Sequence, residues 1–252
     1  MRFSGKRALV TGAASGIGKA VVSRFLQEGA EVFGADLAYA DSPSPGTGGP
    51  IALKLNVAIE DDWQQLLGKI SPIDVMVACA GISDARSIEE CSLNDWRRVM
   101  QVNLEGAFLS VKYGRKAMQA RKGGAIVLVG SVSGIKAAPG ASAYCVSKAG
   151  VRMLARTAAL EFKKDAVRVN CVSPAGVVTP MWQKMPFWQT LVAQHGGEQG
   201  AWDALGGTDP RTPSLLRMAF PEEIASAIIF LCSEESAHVT GTELVVDGGY
   251  SL

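Results

Sequence analysis

Tyr144 and Lys148 stand four positions apart, with Cys145-Val146-Ser147 between them. On a helix this spacing puts both side chains on one face, so they can serve a common site. A phenol is a poor base at neutral pH, but a neighbouring ammonium favours its anion and fits it for proton transfer. Upstream, Gly130-Ser131-Val132-Ser133-Gly134 offers two hydroxyls, Ser131 and Ser133, either able to hold a substrate oxygen as charge builds there.

A second constellation is Thr11-Gly12-Ala13-Ala14-Ser15-Gly16-Ile17-Gly18, lying between a short apolar run and an amphipathic stretch. Gly12, Gly16 and Gly18 let the backbone turn sharply and approach a pyrophosphate. The free N–H groups and positive end of the helix starting around Ser15 and Ile17 would meet its charge. The spacing is G-x-x-x-G-x-G, not the G-x-G-x-x-G of longer dehydrogenases. Asp36 follows Gly18 by eighteen positions, where a carboxylate accepts hydrogen bonds from an adenosine ribose. The same carboxylate would repel a 2′-phosphate, so NAD(H) is the expected cofactor. Asn56-Val57 should lie near the adenine, and Ala80-Gly81 should line the crevice.

These residues need elements to position them. Apolar or β-branched runs at 8–10, 31–33, 51–53, 73–77, 125–129, 167–169 and 244–246 read as strands. Between most of them, 17–27, 61–70, 93–120, 143–162 and 221–232 carry helical periodicity. Such alternation builds a doubly wound α/β fold, a mostly parallel seven-stranded sheet with helices on both faces. The Pro/Gly/Ser-rich run 41–50 replaces an expected crossover helix with a loop or a much shortened helix. Residues 181–220, which carry Met181, Trp182, Met185, Phe187, Trp188 and Trp202 beside Gly196-Gly197 and Gly206-Gly207, suggest a hinged lid.

A chain of 252 residues with no repeat and no shift in composition reads as one domain. The net charge of +1, with acidic and basic residues interspersed, leaves no footprint for nucleic acid or an anionic membrane. The five cysteines lack disulfide or zinc spacing and read as buried thiols of a reducing compartment, and neither His195 nor His238 has a partner at ligand spacing. No metal is expected. Residues 1–11 are a short charged lead into a strand rather than a signal peptide, and no apolar run reaches spanning length, so a cytoplasmic location is expected.

The ordered set Thr11 to Gly18, Asp36, Ala80-Gly81, Asn103 in Val102-Asn103-Leu104-Glu105-Gly106, Ser131, Tyr144-x-x-x-Lys148, Asn170, Pro174, Thr179 and Asp247-Gly248-Gly249 resembles the short-chain dehydrogenase/reductase family. The likeness runs from about Phe3 to the C-terminus and implies a single-domain Rossmann fold. It also implies a catalytic tetrad. Tyr144 exchanges the proton with the alcohol or carbonyl oxygen, and Ser131 holds that oxygen, being selected over Ser133 by its distance from the tyrosine. Lys148 binds the nicotinamide ribose and assists Tyr144, and Asn103 positions a water that continues the relay. Pro174, Val177 and Thr179 would hold the nicotinamide carboxamide.

The chain departs from the family pattern in three places. Ala78-Cys79-Ala80-Gly81 stands where Asn-Asn-Ala-Gly is usual, so the asparagine's hydrogen bonds must be replaced or lost. Pro174-Ala175 replaces Pro-Gly, which requires a negative φ at Ala175. The 41–50 loop is shorter than the usual crossover.

The resemblance also implies substrate entry beneath the segment after Thr179. Met181, Trp182 and Met185, with Phe187 and Trp188, would there cover a hydrophobic ketone or secondary alcohol, alicyclic, aryl or steroid-like. A homotetramer is implied, pairing the helices of 93–120 and 143–162 and using Asp247-Gly248-Gly249-Tyr250. Two rival functions are a 3-oxoacyl thioester reductase of fatty-acid synthesis, disfavoured by Asp36, and a non-catalytic dinucleotide sensor, disfavoured by the intact Tyr144 and Lys148.

Overall fold

The computed structural model describes all residues except 41–43, 46–47, 210–214 and 216. Strands β1 (Arg7–Thr11), β2 (Glu31–Asp36), β3 (Ser44–Pro45), β4 (Ile51–Lys54), β5 (Val75–Ala78), β6 (Gly124–Val129), β7 (Val167–Pro174) and β8 (Glu243–Val246) form one sheet. Their order is β3-β4-β2-β1-β5-β6-β7-β8, and every pairing is parallel except β3 with β4. The seven expected strands are therefore present in a Rossmann-like arrangement. The strand order reverses direction between β1 and β5, the switch point where a crevice opens beyond the carboxyl ends of the strands.

The strands read as near-continuous apolar runs because both faces are covered. In β5, Met76 and Ala78 enter one buried layer while Val75 and Val77 enter the other, as the two-residue period of a strand requires. The first layer is closed by α2 (Glu60–Ile70), α4 (Gly106–Ala117) and α5 (Ser142–Phe162), through Trp63, Leu109 and Val151 among others. The second is closed by α1 (Gly16–Gln27) and α9 (Pro221–Cys232), through Val21, Phe25, Ile224 and Ile228.

Three regions differ from the sequence reading. Within 41–50, Ser44 and Pro45 pair antiparallel with Ala52 and Ile51, adding an eighth, edge strand instead of a plain loop or short helix. A proline has no N–H to donate, so within a sheet it tolerates an edge. The rest of that loop, apart from its last residues, lies outside the described residues. The 93–120 stretch is not one helix either. It divides into α3 (Leu93–Met100), a π-helical turn (Gln101–Glu105) and α4, since one additional residue in the turn carries the chain out of plain α-helical phase. Finally, only Cys171 and Cys232 of the five cysteines are buried; Cys79, Cys91 and Cys145 are partly exposed, and all five are free thiols. Burial pushes the Cys232 thiol up to about 12.

The expected lid at 181–220, of which residues 210–214 and 216 lie outside the described residues, holds α6 (Pro180–Gln183), α7 (Trp188–Gln194) and α8 (Glu198–Ala204). These gather around their own small core of Trp188, Ala201, Trp202 and Met218. No helix among the described residues is long and apolar enough to cross a membrane.

Candidate active site at the switch point

The crevice is built first from close backbone contacts. Gly12 has φ +67°, and a Cβ there would lie 2.8 Å from the Cα of Ala80, so this turn can pass the β5 end only without a side chain. Thr11 ties the same two segments together: its Oγ1 accepts hydrogen bonds from the N–H groups of Cys79 at 3.1 Å and Ala80 at 3.3 Å. Those bonds fix the Ala80-Gly81 turn despite the missing asparagines of the usual motif. Ser15, at the start of α1, makes no side-chain cap hydrogen bond. The first N–H groups of that helix therefore remain available to an anion.

Asp36 ends β2 beside this loop. Its Oδ2 accepts from the Ala14 N–H at 3.0 Å and its Oδ1 from the Ala38 N–H at 2.9 Å. Each carboxylate oxygen keeps a further lone pair. Asn56 and Val57 follow β4, but their side chains are otherwise engaged. The Asn56 Oδ1 accepts from the Ala58 N–H, and Val57 is buried, its Cγ2 so close to Gly106 that a Cβ there would sit 2.8 Å away. Any contact of Val57 with a nucleotide is left to its backbone.

Across the crevice, Asn103 and Lys148 meet beside Gly81, Tyr144 lies next to Lys148, and Ser131 stands at the β6 exit. Asn103 sits inside the π-helical turn, 1% exposed. Its Oδ1 accepts from the Ile82 N–H at 2.8 Å, while its Nδ2 donates to the Ile82 carbonyl at 2.9 Å and the Ser147 Oγ at 3.0 Å. Ser147 in turn donates to the Tyr144 carbonyl at 2.8 Å. Fully buried Ser147 thus joins Asn103 to α5, a link that sequence reasoning missed. Its only advance signal was its place on the buried side of α5, immediately before Lys148.

Lys148 is 4% exposed, and its Nζ donates to the Val129 carbonyl at the end of β6, 2.8 Å away. The same ammonium lies 5.7 Å from the centre of the Tyr144 ring. A Cβ placed on Gly81 would stand 3.4 Å from the Asn103 Oδ1 and 3.5 Å from the Lys148 Nζ, so both groups border that glycine. An ammonium has three N–H donors, and only the bond to Val129 is found among the described residues. Ser131 is buried at the β6 exit, where its Oγ accepts from the Ser133 N–H at 3.1 Å. Ser133 itself lies farther along the same short 3-10 turn, Val132–Gly134.

The far wall follows β7. Pro174 is buried and Ala175 keeps a negative φ, since Ala166 is the single non-glycine with positive φ among the described residues. Val177 is buried and bridges to Ala219, with the Val178 N–H donating to the Ala219 carbonyl at 2.9 Å. The Trp182 indole donates to the Val177 carbonyl at 3.0 Å. Thr179 reaches the glycine loop: a Cβ on Gly16 would meet its Cγ2 at 3.2 Å. Met181, Trp182 and Met185 are partly exposed and Phe187 is exposed, whereas Trp188 is 1% exposed, packed against Trp202 with ring centres 4.7 Å apart. That corrects one expectation: Trp188 belongs to the segment's own core and cannot cover a substrate.

Comparison with known proteins agrees with this fold. A family model described as Enoyl-(Acyl carrier protein) reductase matches residues 12–251. A 3-oxoacyl-(acyl-carrier-protein) reductase of Thermotoga maritima is 38% identical, with 99% of each chain covered. A cyclopentanol dehydrogenase of a Comamonas species is 35% identical over 99% of this chain and 98% of its own. Among solved structures, the ligand-free aldohexose dehydrogenase of Thermoplasma acidophilum superposes with a TM-score of 0.84 at 31% identity, covering 98% of this chain and 94% of that one.

Proposed function

Because this chain belongs to the short-chain dehydrogenase/reductase family, oxidoreductases of alcohols and ketones, we propose that it is an NAD-dependent alcohol dehydrogenase and ketone reductase for hydrophobic substrates. The observation that carries this reading is the buried Lys148 ammonium, beside Tyr144 and Gly81, with donors left over. A buried charge with unmade hydrogen bonds is costly, and ribose hydroxyls entering at Gly81 would complete its set.

The residues fit a nicotinamide dinucleotide along the whole crevice. The pyrophosphate would lie on Gly12, Ser15, Gly16, Ile17 and Gly18 at the open start of α1. The adenosine ribose would bond Asp36, with Asn56, Val57 and Ala80 bordering the adenine half. The carboxamide would reach the backbone near Pro174 and Val177 and the Thr179 hydroxyl. A bound dinucleotide supplies or accepts the hydride. Tyr144 transfers the proton to or from the substrate oxygen, and Ser131 donates a hydrogen bond to that oxygen as negative charge develops on it. Lys148 stabilises the phenolate electrostatically, and Asn103, held by Ile82 and Ser147, orients a water that connects Lys148 to solvent.

We read the whole chain as one dinucleotide-binding and catalytic unit, with residues 181–220 as the substrate lid and Met181, Trp182 and Met185 facing an alicyclic, aryl or steroid-like substrate. Free, partly exposed thiols support a reducing cytoplasm. Val146, Met153 and Leu160, exposed at seven-residue spacing along α5, together with Phe108 on α4 and Tyr250 near the C-terminus, supply apolar surface for a homotetramer.

The test is a panel of cyclic and aryl ketones and the matching alcohols, followed by NADH absorbance, with NADPH in parallel. Higher kcat/KM with NADH on hydrophobic ketones is the expected result. The similarity to the Thermotoga reductase supports one second reading, a 3-oxoacyl thioester reductase. Preference for NADPH with an acetoacetyl thioester would select it.

A further inference from the structure

We infer that Arg152 is a positioning residue for Ser131, acting through the carbonyl of Gly134. The inference rests on the proposed role of Ser131. Arg152 lies one helical turn beyond Lys148 on α5. Its Nε donates to both carboxylate oxygens of Glu243, at 2.6 and 2.7 Å, and its Nη1 donates to the Gly134 carbonyl at 2.6 Å. Glu243 begins β8, with its side chain 8% exposed, and also accepts from the buried Ser173 hydroxyl at 2.7 Å. Ser173 directly precedes Pro174 at the far wall.

One guanidinium therefore joins three segments of the crevice: the helix of Tyr144 and Lys148, the turn that starts at Ser131, and the β7–β8 edge. The turn has little freedom of its own. The Gly134 N–H returns to the Ser131 carbonyl at 2.9 Å. A Cβ on Gly134 would lie 2.7 Å from the carbonyl carbon of Lys148, so the turn rests directly on the α5 backbone. Fixing the Gly134 carbonyl from the other side leaves Ser131 one placement. A fork of N–H donors on a rigid plane suits this task better than a point charge. Ion pairs this buried are weak devices for stability alone, which agrees with a geometric role.

The experiment is a double-mutant cycle of Arg152→Gln with Ser131→Ala, assayed as reduction of the best ketone of the panel by NADH. NADH affinity is read separately by fluorescence titration. In the wild-type background, Arg152→Gln should lower kcat on the order of 10–100-fold while NADH affinity holds within about twofold. On Ser131→Ala the same change should cost less than about twofold, because coupled residues are not additive. Should Arg152→Gln fail to fold, Glu243→Gln keeps the shape of the clamp and carries the same cycle, with a smaller loss that also vanishes on Ser131→Ala. Unchanged kcat, or losses that multiply on an impaired Ser131→Ala, would overturn the clamp alone. Full turnover by Ser131→Ala would overturn the site reading, and the clamp with it.

Discussion

In the sheet, Met76 and Val77 point to opposite sides and each meets a layer of helices, so the central strands are held from two faces. In the 181–220 segment, burial among the described residues centres on the cluster around Trp188 and Trp202, and its bonds to the framework include Val178 to Ala219, Trp182 to Val177 and Arg217 to Glu223. The framework carries Asn103, Ser131, Tyr144 and Lys148; the segment carries Met181, Trp182 and Met185. On the proposed reading, the reacting groups stand on the doubly covered sheet, and the substrate contacts stand on a segment with a small core of its own. That division would suit a substrate that must enter a water-poor site held by rigid chemistry.

The contrast is sharpest in what each part does when broken. Tyr144→Phe should lower kcat by about 10²–10⁴-fold with NADH affinity and melting temperature nearly unchanged, measured by steady-state kinetics and calorimetry; retained turnover would remove Tyr144 as the proton carrier. Phe25→Ala, in the layer between α1 and the sheet, should cost about 3–5 kcal/mol of global stability, read from urea denaturation. Trp188→Ala removes a larger side chain yet should shift the global transition less, because the loss stops at the cost of opening the segment. It should instead raise the ketone KM several-fold, with faster amide exchange confined to 181–209. Equal global losses from the two variants would merge the two cores into one.

The smallest effect lies far from the crevice. Glu28, at the end of α1, binds Arg2 and Arg24, and the Arg2 guanidinium holds its carboxyl down at about 2. A carboxyl lowered on folding stabilises at neutral pH, and that contribution fades as pH falls from the ordinary range near 4.3 through about 2. Glu28→Gln should therefore cost about 1 kcal/mol or less at pH 7 and almost nothing near pH 2. An undiminished difference in acid would assign the cost to packing.

Much of the framework was legible because its signals are local. Apolar runs marked all seven parallel strands, and Gly12, Asp36 and the Tyr144–Lys148 spacing gained weight from occurring together in one order rather than from any one of them alone. The 181–220 segment was less legible: tryptophans suit a lid, a subunit contact or a core equally, and only packing shows Trp188 against Trp202. Arg152 and Glu243 are 91 positions apart, and no periodicity relates them. Thr11 was read as the opening of a glycine loop, while its bonds to Cys79 and Ala80 depend on strand adjacency that sequence order conceals.

Between α3 and α4 the chain has one residue too many for a straight rod. Val99 on one side and Ala107 on the other both reach the interior, and the surplus lodges the Asn103 amide against Ile82. Deleting a single residue from this stretch would restore an uninterrupted spiral and leave Val99 and Ala107 seven positions apart, within about 20° of one face, but it would remove the bulge that lodges the Asn103 amide. The packing faces would survive such a cut while the amide's seat would not, so chain length here serves the crevice rather than the core.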